Sequence, residues 1–215
     1  MTHLEVHNAT AFGVLTYLTL GATPGCVQDV SLLTLSDGIV LTALHPLMGN
    51  FELPAGATVK IAAPAGDGLN GNFSFNTPPL NCPCPFFPEG VNLAEFIINN
   101  GFQENGQETV DISCVCGANA YIEFKLSESD WSSNGGAIQV TEIANGTRFN
   151  NTGRPGVYPY GCDNCTSSDA PPACVGRHPE YANTLPICNV QRPASGNLGG
   201  TVKVAFLGFT PVPLL

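Results

Sequence analysis

The stretch VNLAEFIINNGFQENGQETVDISCVCGANAYIEF, residues 91–124, sets the reading of the whole chain. It breaks into three short runs, Leu93–Ile98, Thr109–Val115 and one that starts at Ala120 and runs on to Leu126, parted by Gly and Asn. Each run is rich in β-branched and aromatic residues, alternates in places, and is too short for a helix, so each reads as a strand. Two acids sit inside the apolar runs: Glu95 in Leu-Ala-Glu-Phe and Asp111 in Val-Asp-Ile-Ser. A carboxylate flanked by apolar residues on a strand is costly to bury unless it is paired or reached by water. Two such strands side by side would line a cleft with both acids. This pair is the constellation in the sequence that looks most like a site.

The same pattern continues outward. Leu4–Val6 alternates with His3, Glu5 and His7, and Phe12–Leu20 follows after a short break, together suggesting a hairpin. Val30–Leu35 and Ile39–Leu44 flank Ser36-Asp37-Gly38, a tight-turn sequence with Gly available for positive φ. Thr58–Ala62 and Asn72–Asn76 read as strands, with a turn at Phe51–Gly56 and a Pro- and Gly-rich loop from Pro64 to Pro88. Ala137–Ile143 reads as the next strand and Thr201–Phe209 as a closing one. No run carries a helical period with caps, and no internal repeat is present. Residues 145–200 are polar, irregular and Cys-bearing. A loop of that length is expected to be a crosslinked lobe inserted before the last strand of a single domain spanning 1–215. The expected fold is an all-β sandwich.

The totals narrow the function. Seven Lys plus Arg against 17 Asp plus Glu leave a net charge of -10, without the basic cluster that phosphate contacts need. Nucleic acid is therefore not an expected partner. An acidic surface suits neutral ligands, cations or basic partners, or serves solubility alone. No run approaches the ~20 apolar residues of a membrane span. Nine Cys point to disulfides and an oxidising, secreted setting. Sequons at Asn8, Asn72, Asn145, Asn150 and Asn164 are compatible with that route. The opening Met-Thr-His-Leu-Glu-Val-His is a poor signal peptide. The expectation is thus secretion with the leader absent or already removed, and a cytoplasmic protein is the alternative.

Three close Cys pairs stand out: Cys82-Pro-Cys84, Cys114-Val-Cys116 and Cys162-Asp-Asn-Cys165. Residues two apart on a strand share a face, so Cys114 and Cys116 are placed to reach another loop. The expected bonds join Cys82 and Cys84 to Cys114 and Cys116, and crosslink Cys162, Cys165, Cys174 and Cys188 in the late lobe. Spacing does not fix the pairing. The odd count leaves a thiol over, with Cys26 the candidate for an intermolecular bond. Zinc on Cys162 and Cys165 with Cys174, Cys188 or His178 is the rival, but a second tight Cys-x-x-Cys is missing, and no metal or other cofactor is expected. His3, His7, His45 and His178 are dispersed, and no Gly-x-Ser-x-Gly frames a nucleophile. The segment Gly66–Asn72 has too few acids for a calcium loop and reads as a turn.

Leu93-Ala94-Glu95-Phe96, then Asp111-Ile112-Ser113, then Gly117 and Asn119, resemble the spacing of Leu-Ala-Glu-Phe, Asp-Val/Ile-Ser and Gly-Phe-Asn in thaumatin-like proteins. Weaker matches are Leu4–Thr10, Leu53–Ile61, Gly161–Thr166 and Val202–Phe206. The resemblance implies a β-sandwich with disulfide-rich loops and an acidic cleft. It also implies membership in a group of antifungal defence proteins, β-1,3-glucan binders, weak endo-β-1,3-glucanases and sweet-tasting members without activity. The chain departs from the family in having fewer Cys, in lacking the run that supplies the cleft Arg, and in placing Cys116 where the family has a second Asp.

Glycoside cleavage needs a protonated acid and an ionised partner, with carboxyls ~5–5.5 Å apart for retention or ~6.5–9.5 Å for inversion. In that reading Glu95 is the acid, desolvated by its apolar neighbours, and Asp111 the base or charge stabiliser. The alternative without turnover is carbohydrate bound by these acids and stacked on aromatics. Phe86, Phe87, Tyr121, Tyr158 and Tyr160, with Cys116, are the candidate contacts. A structural or assembly protein built on the same sandwich is the third reading.

Overall fold

Strict alternation of buried and outward side chains runs through β1 (His3–Asn8) and β2 (Val14–Leu20), as the sequence pattern requires of half-buried strands. The computed structural model describes residues 1–79, 91–100, 106–113, 119–128, 130–133, 136–138, 141–145, 157–158, 190–193 and 199–210. The remaining strands are β3 (Thr34–Leu35), β4 (Thr42–His45), β5 (Met48–Leu53), β6 (Thr58–Ala62), β7 (Leu69–Phe75), β8 (Leu93–Ile98), β9 (Gln107–Ser113) and β10 (Ala120–Leu126). They continue with β11 (Trp131–Ser133), β12 (Gly136–Ile138), β13 (Thr141–Asn145), β14 (Val157–Tyr158), β15 (Val190–Pro193) and β16 (Thr201–Phe209). Among the described residues the one helical element is a 3-10 turn, Val30–Leu32.

The strands form two sheets. The smaller runs β13-β10-β16-β1-β6-β3. The larger runs β12-β11-β15-β9-β8-β7-β2-β5-β4, with β14 also paired to β9. The first and last strands lie side by side and parallel, Leu4 opposite Val202, and β16 is an inner strand of the smaller sheet, between β1 and β10. Between the sheets lies one apolar core. Leu4, Val6, Val59, Ile122, Phe124, Val204 and Phe206 come from the smaller sheet, and Leu18, Phe51, Phe73, Phe75, Phe96, Val110 and Ile112 from the larger. Phe75 and Phe206 meet across the gap at 4.8 Å between ring centroids. Each such side chain contributes ~1.5–3 kcal/mol by leaving water. The architecture is an all-β sandwich.

Four features differ from the sequence reading. β1 and β2 are not a hairpin: β1 pairs with β6 and β16, while β2 pairs with β5 and β7 in the other sheet. Alternation marks a strand but does not name its neighbour. The link from Ala9 to Gly13 instead carries the chain from one sheet to the other. The runs around Ser36-Asp37-Gly38 split in the same way, since β3 pairs with β6 and β4 with β5. The turn itself is present, with Asp37 at φ 60° and Gly38 at φ 71°. Val30–Leu32 is the 3-10 turn rather than strand, because the Asp29 carboxylate accepts the Ser31 N–H at 2.9 Å and caps it. The hydrogen bonds of Ser31 hold the Asp29 carboxyl below its usual range. The single strand expected over Ala137–Ile143 is two strands, β12 and β13, one in each sheet.

The expected late lobe lies mostly outside the described residues. Two short strands from it, β14 and β15, join the larger sheet beside β9. The eight Cys of the proposed disulfides, Cys82, Cys84, Cys114, Cys116, Cys162, Cys165, Cys174 and Cys188, are also outside them.

Candidate functional site

In β8 the residues Ala94, Phe96 and Ile98 are buried while Leu93, Glu95 and Ile97 face the other way. In β9 Glu108, Val110 and Ile112 point to the core, which puts Thr109, Asp111 and Ser113 on the outer face. The antiparallel register sets Glu95 directly opposite Asp111. Direct opposition brings Cβ atoms to ~4.5–5.5 Å, so the two carboxyl groups share one patch of the outer surface. They also share a hollow of about 330 Å³, lined by Leu20, Asn70, Asn72, Glu95, Ile97 and Thr109 among others, with Asp111.

The environment of the pair is not the one that sequence neighbours suggest. The apolar residues flanking Glu95, namely Ala94 and Phe96, are buried on the core side of β8. Asp111 is the more buried acid, only 8% exposed, whereas Glu95 is half-buried. On its own face Glu95 has Leu93 and Ile97 along the strand and polar residues across the sheet. Asn72 of β7 lies opposite it, and Thr19 of β2 lies opposite Asn72. A lateral row therefore crosses four strands, Thr19–Asn72–Glu95–Asp111, stepping ~4.8 Å from strand to strand. A second row runs beside it through Asn70, Ile97, Thr109 and Gln191. Tyr17 of β2, opposite Ser74, flanks the first row on the other side.

Thr19, Asn70 and Asn72 are the residues that sequence reasoning missed. They come from strands about 40 to 90 positions away from Asp111, and only register brings them in. Asn70 is held by its Nδ2 donating to Thr23 Oγ1. Asn72 Oδ1 and Thr19 Oγ1 are buried and hold no hydrogen-bond partner. Gly71, between the two Asn residues, lets β7 approach β2 closely, since a Cβ there would meet the Thr19 carbonyl oxygen well inside contact distance. The one local signal was the run Leu69-Asn-Gly-Asn-Phe, with a Gly inside a strand.

The other candidates divide. Tyr158 sits in register beside Ser113, two residues along β9 from Asp111. Tyr121 lies on β10 of the smaller sheet and is not among the residues that line the hollow. Phe86, Phe87, Cys116 and Tyr160 lie outside the described residues. Cys26 is a free thiol, buried beside Gly68, and its pKa is pushed up by burial and then by the Asp67 charge. Gly66–Asp67 is a turn, closed by Asp67 N–H donating to Pro64 O at 3.2 Å. His7 Nδ1 bonds to Thr58 Oγ1 at 2.9 Å, and His45 Nδ1 accepts the Leu47 N–H at 3.2 Å, so both have structural partners. Among the described residues no three His, Cys, Asp or Glu are grouped to hold a metal. No helix among them is long and apolar enough to cross a membrane.

No family model matches the chain. No curated protein matches it either. Among solved structures that match is one described as the thaumatin-like xylanase inhibitor TLXI. It is 13% identical and covers 95% of this chain and 98% of that one, with a TM-score of 0.40. An overlay at that score carries no argument about this chain's ligand.

Proposed function

We propose that the chain is a secreted, thaumatin-like carbohydrate-binding protein of the defence type, whose hollow over Glu95 and Asp111 takes a polysaccharide without strong catalysis. One observation carries this reading: the two acids of the family-like motifs stand directly opposite each other and line one hollow of about 330 Å³. That volume lies at the small end of the range of ligand sites, roughly 300–1,000 Å³. The lining of the hollow adds the side-chain amides of Asn70 and Asn72 and the hydroxyl of Thr109. Sugar hydroxyls both donate and accept, and they suit a surface of carboxylates, amides and hydroxyls. A charge-assisted hydrogen bond to such a ligand contributes ~1.5–3 kcal/mol, or roughly ten- to a hundredfold in affinity.

The test is titration of a soluble β-1,3-glucan into the wild type, Glu95→Ala and Asp111→Asn. Binding that weakens roughly tenfold or more in both variants supports the reading. Affinity that neither substitution moves, or the absence of glucan binding by the wild type, ends it. The direct opposition of the carboxyls also keeps a weak endo-β-1,3-glucanase in play, because it is compatible with either catalytic separation. Reducing-sugar release that disappears in Glu95→Ala would favour that activity. No release, or release that survives the substitution, removes it.

A further inference from the structure

We infer that the sequon Asn8-Ala9-Thr10 is a structural knot that cannot carry a glycan in the folded protein, although its sequence is that of an acceptor. An N-linked sugar replaces one of the two hydrogens on the Asn side-chain nitrogen and needs solvent around it. Asn8 is fully buried, at 0% exposed. Its Nδ2 donates to Phe12 O at 2.6 Å, Leu53 O at 3.1 Å and Pro54 O at 3.2 Å, so both hydrogens are shared among three carbonyl oxygens. Its Oδ1 accepts the Thr10 N–H at 3.0 Å and the Thr10 hydroxyl at 2.7 Å, an Asx turn that uses the second sequon side chain as well.

The backbone extends the knot. Asn8 N–H donates to Ala57 O at 2.9 Å, and Ala9 N–H to Phe206 O at 2.9 Å. One side chain thus ties the end of β1, in the smaller sheet, to the end of β5 and the turn after it, which belong to the larger one. This is also where the chain crosses between sheets from Ala9 to Gly13. Attaching a sugar would remove a donor from a dry cluster of carbonyls and force the crossing open. A chain glycosylated at Asn8 before folding is therefore directed away from the native state.

The second sequon within the described strands, Asn72-Phe73-Ser74, gives an independent readout. Asn72 lines the hollow, and a sugar on it would fill the space proposed for the ligand. The experiment is secretion of the full chain from a glycosylating eukaryotic host. N-glycosidase release in heavy-oxygen water and peptide mass spectrometry then map the occupied sites. The expected result is a folded, protease-resistant fraction without glycan on Asn8, with any Asn8-glycosylated chain confined to the retained, protease-sensitive fraction. A folded, secreted protein with glycan on Asn8 overturns the inference. Glycan on Asn72 of the folded protein would instead count against the carbohydrate-binding reading and leave the knot untouched. Unglycosylated protein made in bacteria supplies the second test. Asn8→Asp sets a carboxylate against the three carbonyls and should lower Tm by roughly 10 °C or prevent folding, whereas a shift within roughly 2 °C overturns the knot.

Discussion

The inner side of β9 carries a buried ion pair, and its removal gives a worked prediction. Glu108, opposite Arg192 of β15, accepts its Nε–H at 2.7 Å, and the two side chains are 4% and 1% exposed. Arg192 also donates to Thr2 Oγ1 at 2.9 Å and Gly199 O at 2.6 Å, and lies over the Trp131 ring at 4.6 Å. The other oxygen of Glu108 accepts from Thr2 Oγ1 at 2.6 Å and from the Asn99 N–H at 2.8 Å. The pair therefore clamps the segment before β1, the end of β8 and the segment before β16 to β9. Arg192→Met leaves a buried carboxylate without its counter-charge, and Glu108→Gln leaves a buried guanidinium without one. Each should cost ~3–5 kcal/mol. In a chain of 215 residues that lowers Tm by roughly 6–20 °C. The double variant holds neither charge, so its cost falls to the lost hydrogen bonds, about 1–3 kcal/mol. Urea unfolding at unchanged m-value measures all four proteins. The double variant should be more stable than either single one. Single costs that simply add would show that the charges do not act as a pair, and would refute the argument.

Two further outcomes follow from the geometry. Gly71→Ala drives a methyl group against the Thr19 carbonyl and should cost ~1–3 kcal/mol by forcing β2 and β7 apart, so an unchanged melting curve would deny the close approach. Cys26, buried and with its thiol pKa raised from the ordinary 9.0, should resist alkylation in the folded protein and react once urea opens the chain. With a raised folded value, the stability from this neutral thiol is fully present below about pH 9 and is lost as pH rises through that higher value. Peptide-mapped labelling of native protein at the rate of the unfolded chain would contradict this placement.

Strand identity was legible because a half-buried strand writes its period into the chain. Leu93–Ile98, Thr58–Ala62, Ala120–Leu126 and Thr201–Phe209 stand where their alternation put them. Neighbour choice was not legible. Nothing in β1 or β2 records that they belong to different sheets, and that outcome depends on Asn8 finding carbonyl partners 45 residues away. The Glu108–Arg192 clamp joins positions 84 apart, and each residue alone looks like an ordinary surface charge. Asn8 was legible only as a sequon, because its triplet is the same whether the side chain meets solvent or a ring of carbonyls.

The acid pair shows where linear reasoning about a strand succeeds and where it inverts. Glu95 and Asp111 were found because an acid inside an apolar run is conspicuous, and both face one hollow. Residues i−1 and i+1 point to the opposite side of the sheet, so the apolar residues that share the face of Glu95 are Leu93 and Ile97 rather than Ala94 and Phe96. The surroundings of a strand side chain are its partners across the sheet and its own i±2 positions. For Glu95 those are Asn72, Asp111, Leu93 and Ile97. The burial that the flanking residues seemed to place on Glu95 falls on Asp111. The outer face around the two carboxyls is the lateral row Thr19–Asn72–Glu95–Asp111, assembled from β2, β7, β8 and β9. In the glucan titration that tests the proposed function, Asn72→Ala should weaken binding more than a core-preserving substitution at Ala94, and equal effects would deny the row a part in the site.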